Sequence, residues 1–359
     1  MKRLISGSRA ESKVKFGAFI PYYPLEACNL AATFAEKTQL DSLWMADHLV
    51  PNPPSRPEAL DPWLTLAVIA TQTKRLKLGT AVTDPHRRHP ASLAQTATTL
   101  DIVSNGRLIL GIGAGEAMNL NPFGVAWDRP VTRLKEAVEV IKKLWTEENV
   151  NYNGVYFKLD RATLLPKPIQ KPHPPIWIAA NSPRTRELVG RLADGWLDFD
   201  LSPEMYREDL EDIRNWAKKT ERSPEAIEPA YFSLMAVSND GEAARKAIEL
   251  PAKIFLAAFP RNLERLGFKN PTGYSNVLDK FVVTPEFMEQ LMEVVKEVPF
   301  EAVEKCFIFG TPDECIGKLE RYVKVGARHF LMATIGPDAR SAFYIYATKI
   351  VPYLKETYA

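Results

Sequence analysis

The chain has little of what would build a disulfide framework, a metal centre or a membrane span. Its 359 residues include only three cysteines and five histidines, and no two cysteines form a CxxC pair. We interpret Cys28, Cys306 and Cys315 as reduced thiols of a cytoplasmic protein. No apolar run is long enough to cross a bilayer, and Met1 leads into a polar segment unlike a signal peptide. These absences predict no metal site and no membrane association.

An excess of charge of one sign is absent as well. Lysine and arginine total 46, aspartate and glutamate total 44, and the net charge of +2 includes no basic block. This balance predicts no nucleic-acid partner. Hydrophobic residues, by contrast, make up 46% of the chain, which is enough for a large core. The length allows either two average domains or one large α/β barrel.

Short apolar runs alternate with helical patterns along most of the chain, which favours parallel strands joined by crossover helices. Strands are predicted at residues 14–20, 41–45, 75–82, 108–112, 176–179, 195–199, 231–237 and 328–333. Helices are predicted at residues 25–38, 62–73, 90–105 and 130–145, and another begins at Ser182-Pro183. Eight strands predict a single α/β domain over residues 1–359, a (β/α)8 TIM barrel. A doubly wound sheet is the alternative.

Two segments interrupt this repeat. Residues 149–175 are rich in proline and aromatic residues, and residues 251–299 form a long, mostly helical stretch before the last strand. We expect both to be insertions at the C-terminal end of the barrel strands, where lids and partner surfaces are commonly built.

The segment that follows the fourth predicted strand is the most informative part of the sequence. Gly111, Gly113 and Gly115 occupy alternate positions and are followed by Glu116 and Asn119. Glycines allow a backbone to approach a bulky ligand closely. A carboxylate at the mouth of a buried strand is an unusual place for charge. The combination indicates a functional site.

The active site of a (β/α)8 barrel lies where the strands end. The ends of strands two to five hold residues 47–48, 80–83, 113–119 and 180–182, and we expect them to converge on one rim. His48 and Glu116 are the candidates for exchanging a proton with a substrate. The backbone amides of residues 181–184, at a helix start with Arg184 and Arg186 nearby, predict a phosphate site.

Simpler interpretations of these features stay open. The Asp47-His48 pair is also typical of a helix cap, and Ser182-Pro183 is explained as a helix start alone. The glycines are compatible with a tight turn, since GxGxG without a further helical glycine is a weak dinucleotide signal. Glu116 has Arg107 or Arg129 as possible ion-pair partners.

Several of these segments resemble a known family. They are residues 42–48, 78–83, 105–119, 133–145, 175–183 and 192–196. Together they resemble the bacterial-luciferase-like superfamily of flavin- and deazaflavin-dependent oxidoreductases. Within it they are similar to the coenzyme F420 branch of sugar-phosphate dehydrogenases, alcohol dehydrogenases and methylenetetrahydromethanopterin reductases. Gly-Glu-Ala-Met-Asn at residues 115–119 is the most specific element.

The resemblance implies a barrel, usually a homodimer, with the deazaflavin ring buried at the strand ends. His48 and Glu116 would face the substrate. Ala81 and Val82 would form a bulge that supports one ring face, where relatives often have a non-prolyl cis peptide. Asn119 and the amides of residues 180–182 would hold the cofactor phosphate. The implied cofactor-binding residues are Asp47, Thr80, Ala81, Val82, Gly113, Ala114, Gly115, Asn119, Ala179, Ala180, Asn181 and Ser182.

The sequence also departs from the sugar-phosphate dehydrogenases. Asn52 replaces their tryptophan, and residues 20–23 read Ile-Pro-Tyr-Tyr with no glutamate. Glucose 6-phosphate is therefore not the expected substrate. Tyr22, Tyr23, Trp63 and His86 are instead predicted to line a pocket for an aromatic or apolar ligand.

The hypothesis that follows is a cytoplasmic F420-dependent oxidoreductase. It would transfer a hydride between deazaflavin C5 and a small organic substrate of the tetrahydropterin, alcohol or ketone class. One alternative is an FMN-dependent monooxygenase on the same barrel, and another is a non-catalytic flavin- or deazaflavin-binding protein.

Overall fold

A computed structural model describes residues 13–50, 58–199, 201–273, 277, 284–336 and 338–359. In chain order its strands are β1 (Lys15–Phe19), β2 (Ser42–Met45), β3 (Lys77–Thr80), β4 (Leu108–Ile112), β5 (Val150–Asn153), β6 (Lys158–Ala162), β7 (Ile176–Ala179), β8 (Gly195–Phe199), β9 (Glu228–Val237), β10 (Ile308–Gly310) and β11 (His329–Ile335). The helices that precede the long insertion are α1 (Leu25–Glu36), α2 (Pro62–Gln72), α3 (Pro90–Val103), α4 (Pro130–Thr146), α5 (Pro183–Leu192) and α6 (Pro203–Lys219).

The remaining helices belong to the last third of the chain. They are α7 (Gly241–Ala258), α8 (Pro260–Arg265), α9 (Pro285–Glu297), α10 (Phe300–Cys306), α11 (Pro312–Lys324), α12 (Ala339–Ile345) and α13 (Val351–Thr357). A π-helical turn, Tyr346–Ile350, joins α12 to α13. None of the described helices has the length and apolar composition that a membrane span needs.

Eight parallel strands close into a barrel in the order β1, β2, β3, β4, β7, β8, β9, β11 and back to β1. These are the eight strands predicted from the sequence, so the predicted (β/α)8 fold is confirmed. Their apolar runs arise because parallel barrel strands are covered by helices outside and by packed side chains inside. The short strand β10 was missed. It pairs only with the end of β9, from Met235 to Val237.

Aromatic side chains fill the inside of the barrel. The rings of Trp44 and Trp177 lie 5.0 Å apart, and both residues are buried. Gly79 makes room for Trp44, since a Cβ atom at this position would lie 2.2 Å from the indole ring. The barrel is therefore a packed core below its mouth.

Polar caps begin several of the helices that surround the barrel. Asp61, Ser182, Ser202 and Thr311 each accept a hydrogen bond from a backbone N–H of the first turn, and proline occupies the start of the helix that follows. Such caps satisfy backbone donors that the helix itself leaves unpaired. The predicted helix start at Ser182-Pro183 is confirmed, and it positions the turn beside the mouth of the barrel.

The insertion at residues 149–175 lies in a different place from the one predicted. It contains the antiparallel hairpin of β5 and β6, which follows α4 and precedes β7. Because a crossover helix runs back along its strand, this connection leaves from the N-terminal end of the barrel strands, not from the C-terminal end. The Glu136 carboxylate on α4 accepts three backbone hydrogen bonds from residues 155–157 and fixes the hairpin turn against this helix.

The second insertion follows β9 and therefore leaves from the C-terminal end, as predicted. Helix α7 passes through the predicted boundary at Pro251, so the inserted helices begin earlier than residue 251. Helices α7 to α10 bury an apolar cluster of their own, separate from the main core. Arg265 on α8 joins this insertion to α6 by two hydrogen bonds to the Asp209 carboxylate, of 2.8 and 3.1 Å.

Candidate functional site

A cavity of about 1330 Å³ opens at the C-terminal ends of the strands. Its two sides differ in chemistry. The ends of β2, β3, β4 and β7 contribute His48, Ala81, Val82, Glu116 and Ala179, all of which were predicted as site residues. The ends of β1, β8, β9 and β11 contribute mostly aromatic and aliphatic side chains: Phe19, Ile20, Leu197, Phe199, Phe232, Leu234, Ala333 and Ile335.

His48 and Glu116 meet on the polar side of this cavity. The Nε2 atom of His48 lies 3.6 Å from Oε2 of Glu116, and their side chains are 12% and 25% exposed. The Nδ1 atom of His48 is buried and has no hydrogen-bond partner among the described residues. The prediction that these two residues share one rim is confirmed by this contact. The pair is suited to hold and pass a proton.

Tyr22 lies beside this pair and also lines the cavity. Its ring centroid is 6.3 Å from that of His48. Burial, together with the negative charge of Glu116, raises the pKa of the Tyr22 hydroxyl well above its usual range. The phenol therefore stays protonated at any physiological pH and acts as a neutral hydrogen-bond donor.

Asp47 precedes His48 but belongs to a buried network. Its Oδ2 atom accepts hydrogen bonds from Thr83 Oγ1 at 2.6 Å and from Trp63 Nε1 at 3.2 Å. Its Oδ1 atom lies 3.1 Å from the Arg87 guanidinium, which also donates to the Asp47 backbone carbonyl at 2.5 Å. The side chain is 3% exposed. The predicted contact of Asp47 with a cofactor ring stays a prediction, whereas the structure uses this carboxylate to hold the loop that carries His48.

Sequence reasoning missed Arg87, which connects this network to a second carboxylate. Its Nε atom donates to Asp84 at 2.6 Å, and the Arg87 side chain is 12% exposed. Burial alone would lower the pKa of the guanidinium, but the charges of Asp47 and Asp84 outweigh it and raise the pKa. Arginine three residues after aspartate in a loop was a weak signal, because most such pairs lie at the surface.

Residues 81–83, directly after β3, have the predicted irregular geometry. The peptide bond from Ala81 to Val82 is cis. The N–H of Ala81 donates to the Met45 carbonyl on β2, and the N–H of Thr83 donates to the Gly111 carbonyl on β4. The segment thus changes its partner strand across the bulge. This turn presents Ala81 and Val82 to the cavity.

Gly111, within β4, and Gly113, just after it, serve the protein's own packing. A Cβ atom at Gly111 would lie 1.8 Å from the Thr80 carbonyl oxygen, and one at Gly113 would lie 2.7 Å from the Val82 side chain. Gly115 has a positive φ of 76°. Gly111 and Gly113 thus admit the β3 segment that forms the cavity wall, and the cofactor contacts predicted for Gly113 and Gly115 stay predictions.

Several predicted cofactor contacts have their polar groups occupied within the protein. Thr80 Oγ1 donates to the Gly111 carbonyl at 2.7 Å, and Thr80 is fully buried. The Ala114 carbonyl accepts hydrogen bonds from the side chains of His86 and Trp127. The Thr80 hydroxyl and the Ala114 carbonyl are thus satisfied within the protein, and the cofactor contacts predicted for these two residues stay predictions.

Asn119 holds the loop after His48. Its Oδ1 atom accepts hydrogen bonds from the backbone N–H groups of Leu49 at 2.8 Å and Val50 at 3.0 Å, and its Nδ2 atom donates to Glu116 Oε2 at 3.1 Å. Asn119 is 3% exposed. The structure thus gives Asn119 the role of a brace between the two candidate proton-handling residues, and the phosphate contact predicted for it stays a prediction.

The predicted phosphate site at the start of α5 is only partly available. The N–H of Ala180 donates to the Leu197 carbonyl, and the N–H of Ser182 donates to Thr185 Oγ1. Asn181 is exposed. Arg186, which was expected to assist, is buried and pairs with Asp209 at 3.2 Å and with an aspartate one turn further along α6 at 2.8 Å. The expectation for Arg186 is corrected, because its charge is already balanced.

The remaining alternatives are settled by individual contacts. Tyr22 and Tyr23 line the cavity as predicted. Trp63 is buried as a donor to Asp47, and His86 bonds to backbone carbonyls, so neither belongs to the cavity lining. Arg107 donates to four backbone carbonyls and is no partner of Glu116. Asn52 lies outside the described residues.

Comparison with known proteins gives similarity along nearly the whole chain. The sequence profile of one family, described as luciferase-like monooxygenase, matches residues 22–329. A phthiodiolone/phenolphthiodiolone dimycocerosates ketoreductase of Mycobacterium kansasii is 32% identical over 90% of this chain and 95% of its own length. A 5,10-methylenetetrahydromethanopterin reductase of Archaeoglobus fulgidus is 30% identical over 95% of this chain and 100% of its own.

A solved structure is similar in three dimensions as well. An F420-dependent secondary alcohol dehydrogenase in complex with an F420-acetone adduct has a TM-score of 0.81 to this chain and is 25% identical in sequence. The match covers 95% of this chain and 99% of the dehydrogenase chain.

Proposed function

The chain belongs to the luciferase-like monooxygenase family, and on that basis we propose that it is a coenzyme F420-dependent oxidoreductase. The cofactor, when bound, would donate or accept a hydride at C5 of its deazaflavin ring. The substrate would be a carbonyl compound that becomes a secondary alcohol, or the reverse. The similarity to a ketoreductase, a reductase and an F420-dependent secondary alcohol dehydrogenase supports this choice.

The described residues fit a flat, mostly apolar ring. Ala81 and Val82 form one wall of the cavity, and Ala179 lies at the end of β7. The indole rings of Trp44 and Trp177 fill the barrel below the cavity. The unpartnered Nδ1 atom of His48 leaves one buried polar group for a ligand to satisfy. Ala81, Val82 and Ala179 would hold the deazaflavin ring against the strand ends, and His48 would face the substrate.

The chain's own residues would manage the proton that accompanies the hydride. When a carbonyl carbon gains a hydride, its oxygen must gain a proton, and the reverse reaction must remove one. His48 would hold that proton at the substrate oxygen, and Glu116 at 3.6 Å would stabilise the charged imidazole. The protonated Tyr22 hydroxyl would donate a hydrogen bond to the same oxygen. The Asp47–Arg87 network keeps the His48 loop in place.

The observation that carries the proposal is the His48–Glu116 pair on the wall of an otherwise apolar cavity. The test uses Glu116→Gln and His48→Ala in the protein loaded with reduced F420 and assayed with a short ketone. We expect kcat to fall by about 10²- to 10⁴-fold, the usual contribution of general acid–base catalysis. The Kd for F420, measured by fluorescence, should change little. Unchanged kcat in both folded variants would contradict these roles.

Cofactor identity separates this proposal from the FMN-dependent alternative. Absorbance titrations of the same protein with F420 and with FMN measure the two Kd values directly. We expect tighter binding of F420. Tighter binding of FMN, with oxygen-dependent turnover, would instead favour a monooxygenase.

We also propose that the protein acts as a homodimer in the cytoplasm. Leu64 and Val68 lie one turn apart on the outer face of α2 and are 72% and 37% exposed, an apolar stripe that an isolated monomer would leave in water. All three cysteines are buried thiols, which suits a reducing compartment.

A further inference from the structure

The cavity does not end at the mouth of the barrel. It continues outward between α1 and α12 as a lateral groove, lined by Ala27, Leu30, Ala31 and Phe34 from α1 and by Phe343 and Tyr344 from α12. The ring centroid of Phe34 lies 5.5 Å from that of Phe343 and 5.9 Å from that of Tyr344. These three rings close the far part of the groove. These six side chains are apolar or aromatic, whereas Arg340 and Ser341 at the start of α12 also line the cavity.

The groove has the dimensions of an extended hydrocarbon chain. Ala27 and Phe34 are separated by seven positions on α1, which is about 10 Å along a helix. An extended polypeptide rises about 3.5 Å per residue over three backbone bonds, which is about 1.2 Å per bond. A hydrocarbon chain that advances by the same amount per bond fits about eight carbons between these positions. A groove of this length and composition selects a flexible aliphatic chain over a compact polar molecule.

The connection between groove and barrel mouth is apolar too. Phe19 and Phe232 pack with their ring centroids 4.5 Å apart, and Phe199 packs on Phe259 from the insertion at 4.7 Å. All four rings line the same cavity as the His48–Glu116 pair. A chain lying in the groove therefore shares one cavity with the proton-handling residues, and aromatic rings line much of the cavity between them.

Charge in the cavity lining argues against an anionic occupant of the groove. Among the described lining residues, the permanent cations are Arg340, at the start of α12, and Lys349, in the π-helical turn that follows it. They are nine positions apart, so about 14 Å of helix separates them. A phosphorylated sugar or a polyanionic cofactor tail needs clustered donors, which this arrangement does not supply.

We propose that the substrate is a ketone or secondary alcohol with a long aliphatic chain, bound with its oxygen at His48 and its chain in the lateral groove. This inference rests on the proposed function, since it names the substrate class of that same site. The hydride adds to the carbonyl carbon, the proton adds to the oxygen, and the reduced cofactor is oxidised. The continuity of the groove with the reacting end favours a substrate chain over a second copy of the protein.

The test is a chain-length series of methyl ketones, from 2-butanone through 2-octanone to 2-dodecanone, with the full-length protein and reduced F420. Each methylene that enters the groove should raise kcat/KM by about fourfold, until the groove is filled. Binding of 2-dodecanone to the cofactor-free protein, measured by calorimetry, provides a second readout that does not depend on the cofactor.

Two variants of α1 locate the chain. Ala31→Trp fills the groove and should lower kcat/KM for 2-dodecanone by at least about tenfold, the value of two buried methylenes, while 2-butanone is turned over as before. Phe34→Leu opens the far end and should move the optimum to longer ketones. The matched control is Thr33→Trp, which places the same bulky residue on the exposed face of the same helix and should change neither substrate.

The outcomes separate this inference from the proposed function. Turnover of 2-butanone with no dependence on chain length overturns the inference and leaves the function standing. Absence of F420 turnover with every ketone overturns the function, and calorimetry then decides the groove: binding of 2-dodecanone that Ala31→Trp abolishes supports it, and no binding overturns it. Conversion of a dimer to a monomer by Ala31→Trp, seen by light scattering, identifies the groove as a subunit interface and overturns the inference.

Discussion

Removal of the Arg87 guanidinium is the sharpest perturbation of the framework behind His48. This group lies 3.1 Å from Asp47 Oδ1 and 2.6 Å from Asp84 Oδ2, and the two aspartate side chains are 3% and 5% exposed. In Arg87→Met the methionine occupies similar space but carries no charge. Both carboxylates are then buried without their cation.

The expected cost follows from burial. Loss of one partner from a buried ion pair destabilises a protein by about 3–5 kcal/mol, because the remaining charge stays uncompensated. Asp47 keeps its bonds from Thr83 and Trp63, and Asp84 keeps two backbone N–H donors, which limits the loss to this range.

The neighbouring residue provides a matched control. Arg88 pairs with Asp61 at 2.5 Å, but these side chains are 31% and 37% exposed. A solvent-exposed pair contributes about 0–1 kcal/mol, so Arg88→Met should lose no more than that. The two arginines are neighbours in the sequence with the same side chain and charge, and they differ in burial and in the number of carboxylates that they contact.

Urea unfolding of both variants at pH 7, followed by circular dichroism, measures these losses. Added Asp84→Asn should restore part of the stability. If Arg87→Met loses no more than Arg88→Met, the buried network is not what holds the His48 loop.

Three further predictions concern the barrel and its assembly. Burial lowers the pKa of His329 to about 3 from its ordinary value of 6.5. The free energy of unfolding should therefore decline by roughly 5 kcal/mol as the pH falls from 6.5 to 3, because the unfolded chain binds a proton that the folded protein does not. In urea unfolding, His329→Gln should flatten that decline. Gly111→Ala should abolish soluble expression, since its Cβ atom would lie 1.8 Å from a backbone oxygen, whereas Gly317→Ala on open α11 should raise the urea midpoint slightly. Leu64→Lys should convert the proposed dimer to a folded monomer in light scattering, and an unchanged mass would exclude this stripe as the interface.

The eight barrel strands were predictable because strands buried on both faces consist of nearly continuous apolar runs. β10 was not, since three residues are too few to show a pattern. The hairpin at residues 150–162 was recognised only as an insertion. Its polar residues give no strong strand signal, and its place at the N-terminal end follows from chain direction.

The site was predictable in its location and less so in its contacts. Strand ends converge in any closed parallel barrel, which brought His48 and Glu116 together. The sequence does not say which partner occupies a polar side chain, so Arg186 was expected to assist a phosphate although two aspartates on α6 already pair with it. Arg87 was missed because its two carboxylates are buried only after folding.

Transfer of isotope from substrate to cofactor tests the central claim most directly. The protein is mixed with oxidised F420 and a secondary alcohol that carries deuterium on its carbinol carbon. The reduced cofactor is then analysed by mass spectrometry and NMR. The account predicts one deuterium at C5 of the deazaflavin and none from solvent D₂O in the converse experiment. Reduction without label from the alcohol, or label from the solvent alone, would contradict direct hydride transfer in this cavity.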